Sequence, residues 1–261
     1  MNATSSVLPP LSRVPLGSIH ADVIDFNGAV DRIVGLCRAG QGGSVVTPNV
    51  DHVVMAEHNP ALKAAYDDAS LSLVDGKPLV WLAQAMKQPL PGKISGSDLI
   101  RPLVARAARE GLRCFFLGGM EGIAQRAADI LVAEHPGLIV AGCYSPPFGF
   151  EKNAETDQAV VDVVAAAKPD LVFIALGAPK QELWWHKHQQ ALAPAVGLGI
   201  GASLDFIAGV VTRAPGWMSD AGLEWVYRLA QEPRRMAERY LVRDREIVPI
   251  AWRTWQKHRT R

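Results

Sequence analysis

The chain has 261 residues, 49% of them hydrophobic and 20% charged, with 27 Lys and Arg against 26 Asp and Glu. That balance excludes a largely disordered chain, and no apolar run approaches the ~20 residues a membrane-spanning helix needs. The length suits one large α/β domain with an appendage, or two small domains.

The opening, Met1 to Gly17, has no basic stretch leading into an apolar run. It is therefore expected to be a loose leader (residues 1–14) and not a secretory signal. A strand is predicted from Ser44 to Thr47, then a helix from near Asp51, then a strand from Leu71 to Val74 that ends in Asp75-Gly76. Apolar residues at helical spacing run from Asp98 to Glu110 and stop at Gly111; a glycine is the usual helix terminator. Leu112 to Leu117 is a near-continuous apolar strand, followed by Gly118-Gly119 and a helix to Glu134. Strands over Leu138 to Ala141, Asp170 to Leu176 and Ala195 to Ile200 alternate with helices over Ala154 to Ala167 and from Pro179. Apolar strands separated by helices predict a Rossmann-like α/β fold, a parallel sheet with helices on both faces, over residues 15–210. Right-handed crossovers place every strand's C-terminal end on one edge, where such sheets bind ligands.

The chemistry-bearing residues follow those strands: Thr47-Pro48-Asn49, Asp75-Gly76, Gly118-Gly119, Gly177 to Glu182 and Gly199-Ile200-Gly201. Glycines at 118 and 119 fit a backbone approach to phosphate at a helix start, or simply a tight turn. They are not a GxGxxG fingerprint, and the next strand ends without an acidic residue, so an NAD-linked enzyme is disfavoured. Asp75 is either a general base at a strand's end or half of a turn-forming Asp-Gly pair. Gln181 and Glu182 open a helix, where an amide reads a base or sugar edge and a carboxylate bonds a hydroxyl or complements the helix dipole. Asp205 has the same two readings. No Asp-x-Asp pair or spaced His/Cys set is present, so no metal and no cofactor are expected. The three cysteines, Cys37, Cys114 and Cys143, lie far apart and read as buried reduced thiols.

Charge is unevenly spread. Residues 213–261 carry eleven Lys and Arg against six Asp and Glu, leaving the rest of the chain at −4, and they hold four of the seven tryptophans. This segment, within a helical appendage over residues 211–261, suits an anionic membrane surface, or is a solvated helix with a few core tryptophans. Arg228, Arg235 and Arg239, at offsets 0, 7 and 11, would line one helical face if Pro233 only bends the segment, a face suited to a pyrophosphate, to lipid headgroups or to solvent.

In order along the chain, Thr47-Pro48-Asn49, Asp75-Gly76, Gly96 to Leu99, Leu117 to Gly119, Gly177 to Glu182, Gly199 to Asp205, Arg213 to Trp217, Gly222 to Arg228 and Glu232 to Arg235 with Arg239-Tyr240 resemble the WecG/TagA/CpsF family of bacterial glycosyltransferases. The resemblance, over residues ~15 to 245, implies metal-free transfer from a UDP-sugar to a polyprenyl-diphosphate-linked acceptor at the cytoplasmic face, by a peripherally bound protein. It implies Asp75 as catalytic base and Thr47 and Asn49 as positioning groups for donor or acceptor. Gln181 and Asp205 would lie near the nucleotide sugar, with Arg228 and Arg235 over the diphosphate. Two positions depart from the family pattern. Lys93 stands where Arg is frequent, losing the bidentate fork, and Glu238 replaces another Arg, leaving Arg239 as the third cation. The resemblance implies a hexose-type donor sugar, N-acetylmannosamine, its uronic acid or glucose, and the Tyr144 to Gly149 loop, closer to exopolysaccharide members, hints at the glucose type. A nucleic-acid partner is not expected, and a homo-oligomer is left open. The rival readings are a non-catalytic nucleotide-sugar or nucleic-acid binder and an NAD-linked enzyme.

Overall fold

The structure is a computed structural model and describes residues 9–216, 218, 224–231, 233 and 243–259. Six strands form one sheet: β3 (Gly43–Val46), β4 (Leu71–Ser72), β5 (Arg113–Gly118), β6 (Ile139–Tyr144), β7 (Leu171–Ala175) and β8 (Val196–Gly199). They lie in the order β4-β3-β8-β7-β5-β6, and every neighbouring pair is parallel. All six correspond to apolar runs read from the sequence.

Side-chain alternation along these strands explains why both faces are covered. Cys114, Phe116, Leu171, Phe173, Val196 and Leu198 join one core with helices α1 (Phe26–Ala39), α5 (Gly96–Glu110) and α6 (Ile123–Glu134). Phe115, Leu117, Val172 and Ile174 point to the other face, against α7 (Ala154–Ala167) and α8 (Lys180–His188). On β8 that second face carries Gly197 and Gly199. A Cβ on Gly197 would lie 2.2 Å from the Trp185 ring, and one on Gly199 would lie 2.6 Å from Gln181 Nε2. The two glycines thus let α8 lay two side chains four residues apart flat on the strand.

A hairpin not expected from the sequence precedes the sheet: β1 (Arg13–Leu16) and β2 (Ile19–Asp22), turning at Gly17 with φ +67°. It is tied to β4 by Asp22, which is buried and accepts from Ser72 N at 2.7 Å and from Arg13 Nε at 2.9 Å. Ser72 Oγ donates to His20 O at 2.6 Å. The hairpin therefore fixes the strand that leads to Asp75.

Behind β3 come α2 (Val50–His58) and α3 (Pro60–Asp67), each N-capped by an asparagine, Asn49 and Asn59. Next after β4 is α4 (Lys77–Ala85), and α9 (Ser203–Ile207) follows β8. Among the described residues two more helices occupy the C-terminal region, Glu224–Gln231 and Ile247–Arg259. The last one returns to the body: Ile250 is buried in the core of the hairpin and α2, and Thr254 Oγ1 accepts from Gly17 N at 3.2 Å. Arg253 pairs with Glu57 at 2.9 Å, and Glu246 meets His58 at 2.7 Å.

Candidate active site

Where β4, β3, β8 and β7 end side by side, their exits enclose a cavity of about 370 Å³. Thr47, Asn49, Asp75, Gln181 and the backbone at Ile200-Gly201 line it, together with Asp51, His52, Ser97 and Arg243. Its position is the one expected of an open parallel sheet, outside the carboxyl ends of the strands.

Local bonding fixes each group. Asp75 N donates to Pro48 O at 2.8 Å, so the exit of β4 is tied to the exit of β3, and the half-buried carboxylate sits beside Thr47 and Asn49 in the cavity wall. Thr47 Oγ1 reaches Gly199 O at 3.4 Å, and Asn49 Oδ1 accepts from His52 N at 3.3 Å as the cap of α2. The Gln181 amide has a defined orientation because Gly201 N donates to its Oε1 at 3.1 Å while its Nε2 donates to Glu182 Oε1 at 2.8 Å.

Glu182 itself does not line this cavity. It is 5% exposed, faces inward between α8 and the sheet, and burial pushes its carboxyl up to about 7 against the Gln181 hydrogen bond. Asp205 lies on α9 half-buried, its carboxyl raised by burial, and the cavity is bordered by its neighbour Phe206 instead. Gly118 and Gly119 lie at the end of β5, outside the cavity lining. With φ +110°, Gly118 brings β5 against β7, where a Cβ would meet Ala175 O at 2.4 Å. Lys93 borders an adjoining cavity, 3.5 Å from Asp98. The side chain of Arg228, on the helix Glu224–Gln231, and the whole of Arg235, Glu238 and Arg239 lie outside the described residues.

Two charged groups in the cavity were not singled out from the sequence. Asp51, buried in the first turn of α2, pairs with Arg243 at 2.6 Å, and Arg243 brings a cation from the C-terminal segment to the rim. The contact spans 192 positions, so no linear spacing announces it. Asp51 did carry a local signal as an acidic residue just behind the Asn49 cap.

Burial pushes the Cys37 thiol up to about 12 and the Cys143 thiol up to about 11, and all three thiols are unpaired in disulfides, so none is poised as a nucleophile. Among the described residues no three His, Cys, Asp or Glu side chains come together as a metal set, and no helix is long and apolar enough to cross a membrane.

An N-acetylglucosaminyldiphosphoundecaprenol N-acetyl-beta-D-mannosaminyltransferase of Bacillus spizizenii is 35% identical over 195 residues, 75% of this chain and 74% of that protein. The protein of the same name from Bacillus subtilis strain 168 is 33% identical over 163 residues, 62% of this chain and 61% of its own length. The family model described as "Glycosyl transferase WecG/TagA/CpsF family" matches residues 14–261, and the chain belongs to that family of glycosyltransferases.

Proposed function

We propose that the protein moves a hexose-type sugar from a UDP carrier to a saccharide linked to polyprenyl diphosphate, with inversion and without a metal ion. The observation that carries this reading is the meeting of Asp75 with Thr47, Asn49 and Gln181 in one cavity at the strand ends. An acceptor hydroxyl attacks the anomeric carbon as its proton passes to Asp75, and the bond to the UDP oxygen breaks with its electron pair leaving on the diphosphate. Of the two carboxylates in the cavity, Asp75 stands at the exit of β4, and Asp51 pairs with Arg243 in the first turn of α2. One base and one displacement give inversion. Arg243 supplies positive charge at the rim, and Arg228, Arg235 and Arg239 are assigned the leaving diphosphate. Gln181 and Asp205 are assigned to the nucleotide sugar, and Gly118 and Gly119 to the shape of the sheet edge. The names of the two relatives favour N-acetylmannosamine as the sugar over its uronic acid or glucose, and a polyprenyl-diphospho-N-acetylglucosamine as acceptor.

A panel of UDP-sugars, incubated with a short-chain prenyl-diphospho-N-acetylglucosamine, should give transfer from UDP-N-acetylmannosamine, unchanged by EDTA. Strong inhibition by EDTA would overturn the metal-free mechanism, and turnover confined to NADH would overturn the transferase reading.

Docking of the C-terminal region at the cytoplasmic face of a membrane belongs to the same proposal. Its support is the exposed apolar row on the last helix, Val248 at 69% and Trp252 at 58% exposure, with Trp252 stacked on Trp255 at 5.2 Å and Arg259 over the Trp255 ring. Val248→Ser with Trp252→Ser should release the protein from vesicles of anionic lipid while leaving thermal unfolding near wild type, because neither side chain is in the core. Undiminished sedimentation with vesicles would remove this helix from the docking surface.

A further inference from the structure

The chain passes from Asp75 through Gly76 into α4 at Lys77, and it enters α5 through Ser95 to Asp98. These two turns form a ridge. Asp75, Gly96 and Ser97 border the cavity described above, whereas Lys77 and Asp98 border a second cavity of about 540 Å³. Of the described residues lining this second cavity, Lys77, Lys93 and Arg213 are cationic and only Asp98 is acidic. Asp98 is the third residue of α5 and is held in a reciprocal cap: its N–H donates to Ser95 Oγ at 3.1 Å, and Ser95 Oγ donates to its Oδ2 at 2.8 Å. Arg213 Nη2 reaches its Oδ1 at 2.5 Å, and Lys93 Nζ lies 3.5 Å away. Burial acts to raise this carboxyl, but hydrogen bonds from Arg213 and Ser95 and the Lys93 charge hold it below the usual range. Asp98 therefore stays ionised and gathers two of the cations without neutralising all three. The start of α4 opens on the same space with Gly76 as its cap residue and no side-chain hydrogen bond closing it.

The proposed reaction brings two diphosphates to one carboxylate, one on the donor nucleotide and one on the acceptor carrier. Their mutual repulsion requires separate cationic seats. We propose that the cavity of Lys77, Lys93 and Arg213 seats the acceptor's diphosphate, so that the acceptor's first sugar crosses the ridge and presents its hydroxyl to Asp75. This assignment rests on the transferase reading, but the volume of the cavity and its three cations support a diphosphate-binding site in any case.

The test uses the full chain and two probes. Calorimetry with inorganic pyrophosphate, in the presence of saturating UDP, should show a second anion bound to wild type. Lys77→Glu should weaken that binding about tenfold to a hundredfold, the worth of one charge-assisted hydrogen bond. Lys77→Arg should restore it, and UDP affinity should stay within about twofold in both. In transfer assays Lys77→Glu should raise KM for the prenyl-linked acceptor and leave KM for the UDP-sugar unchanged. Lys77→Ala, which introduces no new charge, should shift both readings in the same direction and guards against misfolding of the reversal. Pyrophosphate that binds only when UDP is absent, or a Lys77 effect that falls on UDP, would overturn the proposal. A wild type that binds both anions yet transfers no sugar would instead overturn the transferase reading and leave the anion site standing.

Discussion

Asp75→Asn is expected to lower kcat by two to four orders of magnitude, about the contribution of a positioned general base, while UDP binds as tightly as to wild type. The reasoning is geometric. The substitution keeps the size of the side chain and leaves untouched the backbone bond from Asp75 N to Pro48 O, so the ridge between β4 and α4 should persist. What is lost is the capacity to take a proton from the incoming hydroxyl as the bond to the anomeric carbon forms. A group that acts only in the transition state changes kcat and kcat/KM together, so KM for the UDP-sugar should move little. Single-turnover rates and calorimetric UDP affinity separate the possibilities. Retained turnover would exclude Asp75 as base and turn attention to Asp51, whose pairing with Arg243 otherwise commits it to holding the C-terminal segment. Lost turnover with lost UDP affinity would make Asp75 a binding or structural residue.

The sheet was legible because its strands are short apolar runs, buried on both faces except at the half-exposed edge strand β6, and bounded by glycine or a helical pattern; Phe115 and Phe116 in β5 feed opposite cores and still read as one run. The β1–β2 hairpin was not legible: each strand has four residues, Pro15 interrupts the first and the exposed His20 the second, so neither offers a periodic signal. Strand exits carried the site because backbone direction alone decides which edge they share, and Thr47, Asn49, Asp75 and Gln181 do meet there. Adjacent residues separate more easily than the sequence suggests. Gln181 and Glu182 are consecutive, yet a rotation of ~100° about the α8 axis aims one at the cavity and the other at the interior. The two glycines at the end of β5 invite a phosphate-binding reading, whereas the close passage of β5 and β7 already requires the first of them. Arg243 and Arg213 reach their carboxylate partners across 192 and 115 positions, distances over which charge pairing leaves no local trace.

Glu182→Gln should flatten the dependence of stability on pH. In the folded protein burial raises the Glu182 carboxyl from the ordinary 4.5 to about 7. Its Oε1 accepts from Gln181, its Oε2 is buried without a hydrogen bond, and the nearby Tyr66 of α3 is itself pushed up by burial and by the charges of Glu182 and Asp51. Tyr66 therefore stays neutral, and as a residue that ionises only to an anion it cannot offset the carboxylate's charge. Between pH 4.5 and 7 the folded chain retains a proton that the unfolded chain releases, so the contribution of this group falls as pH rises through that window and levels off above it. The loss amounts to about 3 kcal/mol at 1.36 kcal/mol per unit. Glutamine cannot ionise and keeps an oxygen for the Gln181 amide, so the variant gains on wild type by most of that amount between pH 5 and pH 8, whatever its offset at pH 5. Urea midpoints at four pH values across the range measure the difference directly. Parallel curves would mean that Glu182 ionises as it does in the unfolded chain. Divergent curves would identify the carboxyl behind Gln181 as neutral below pH 7, leaving the cavity's negative charge to Asp51 and Asp75, the two carboxylates that line it.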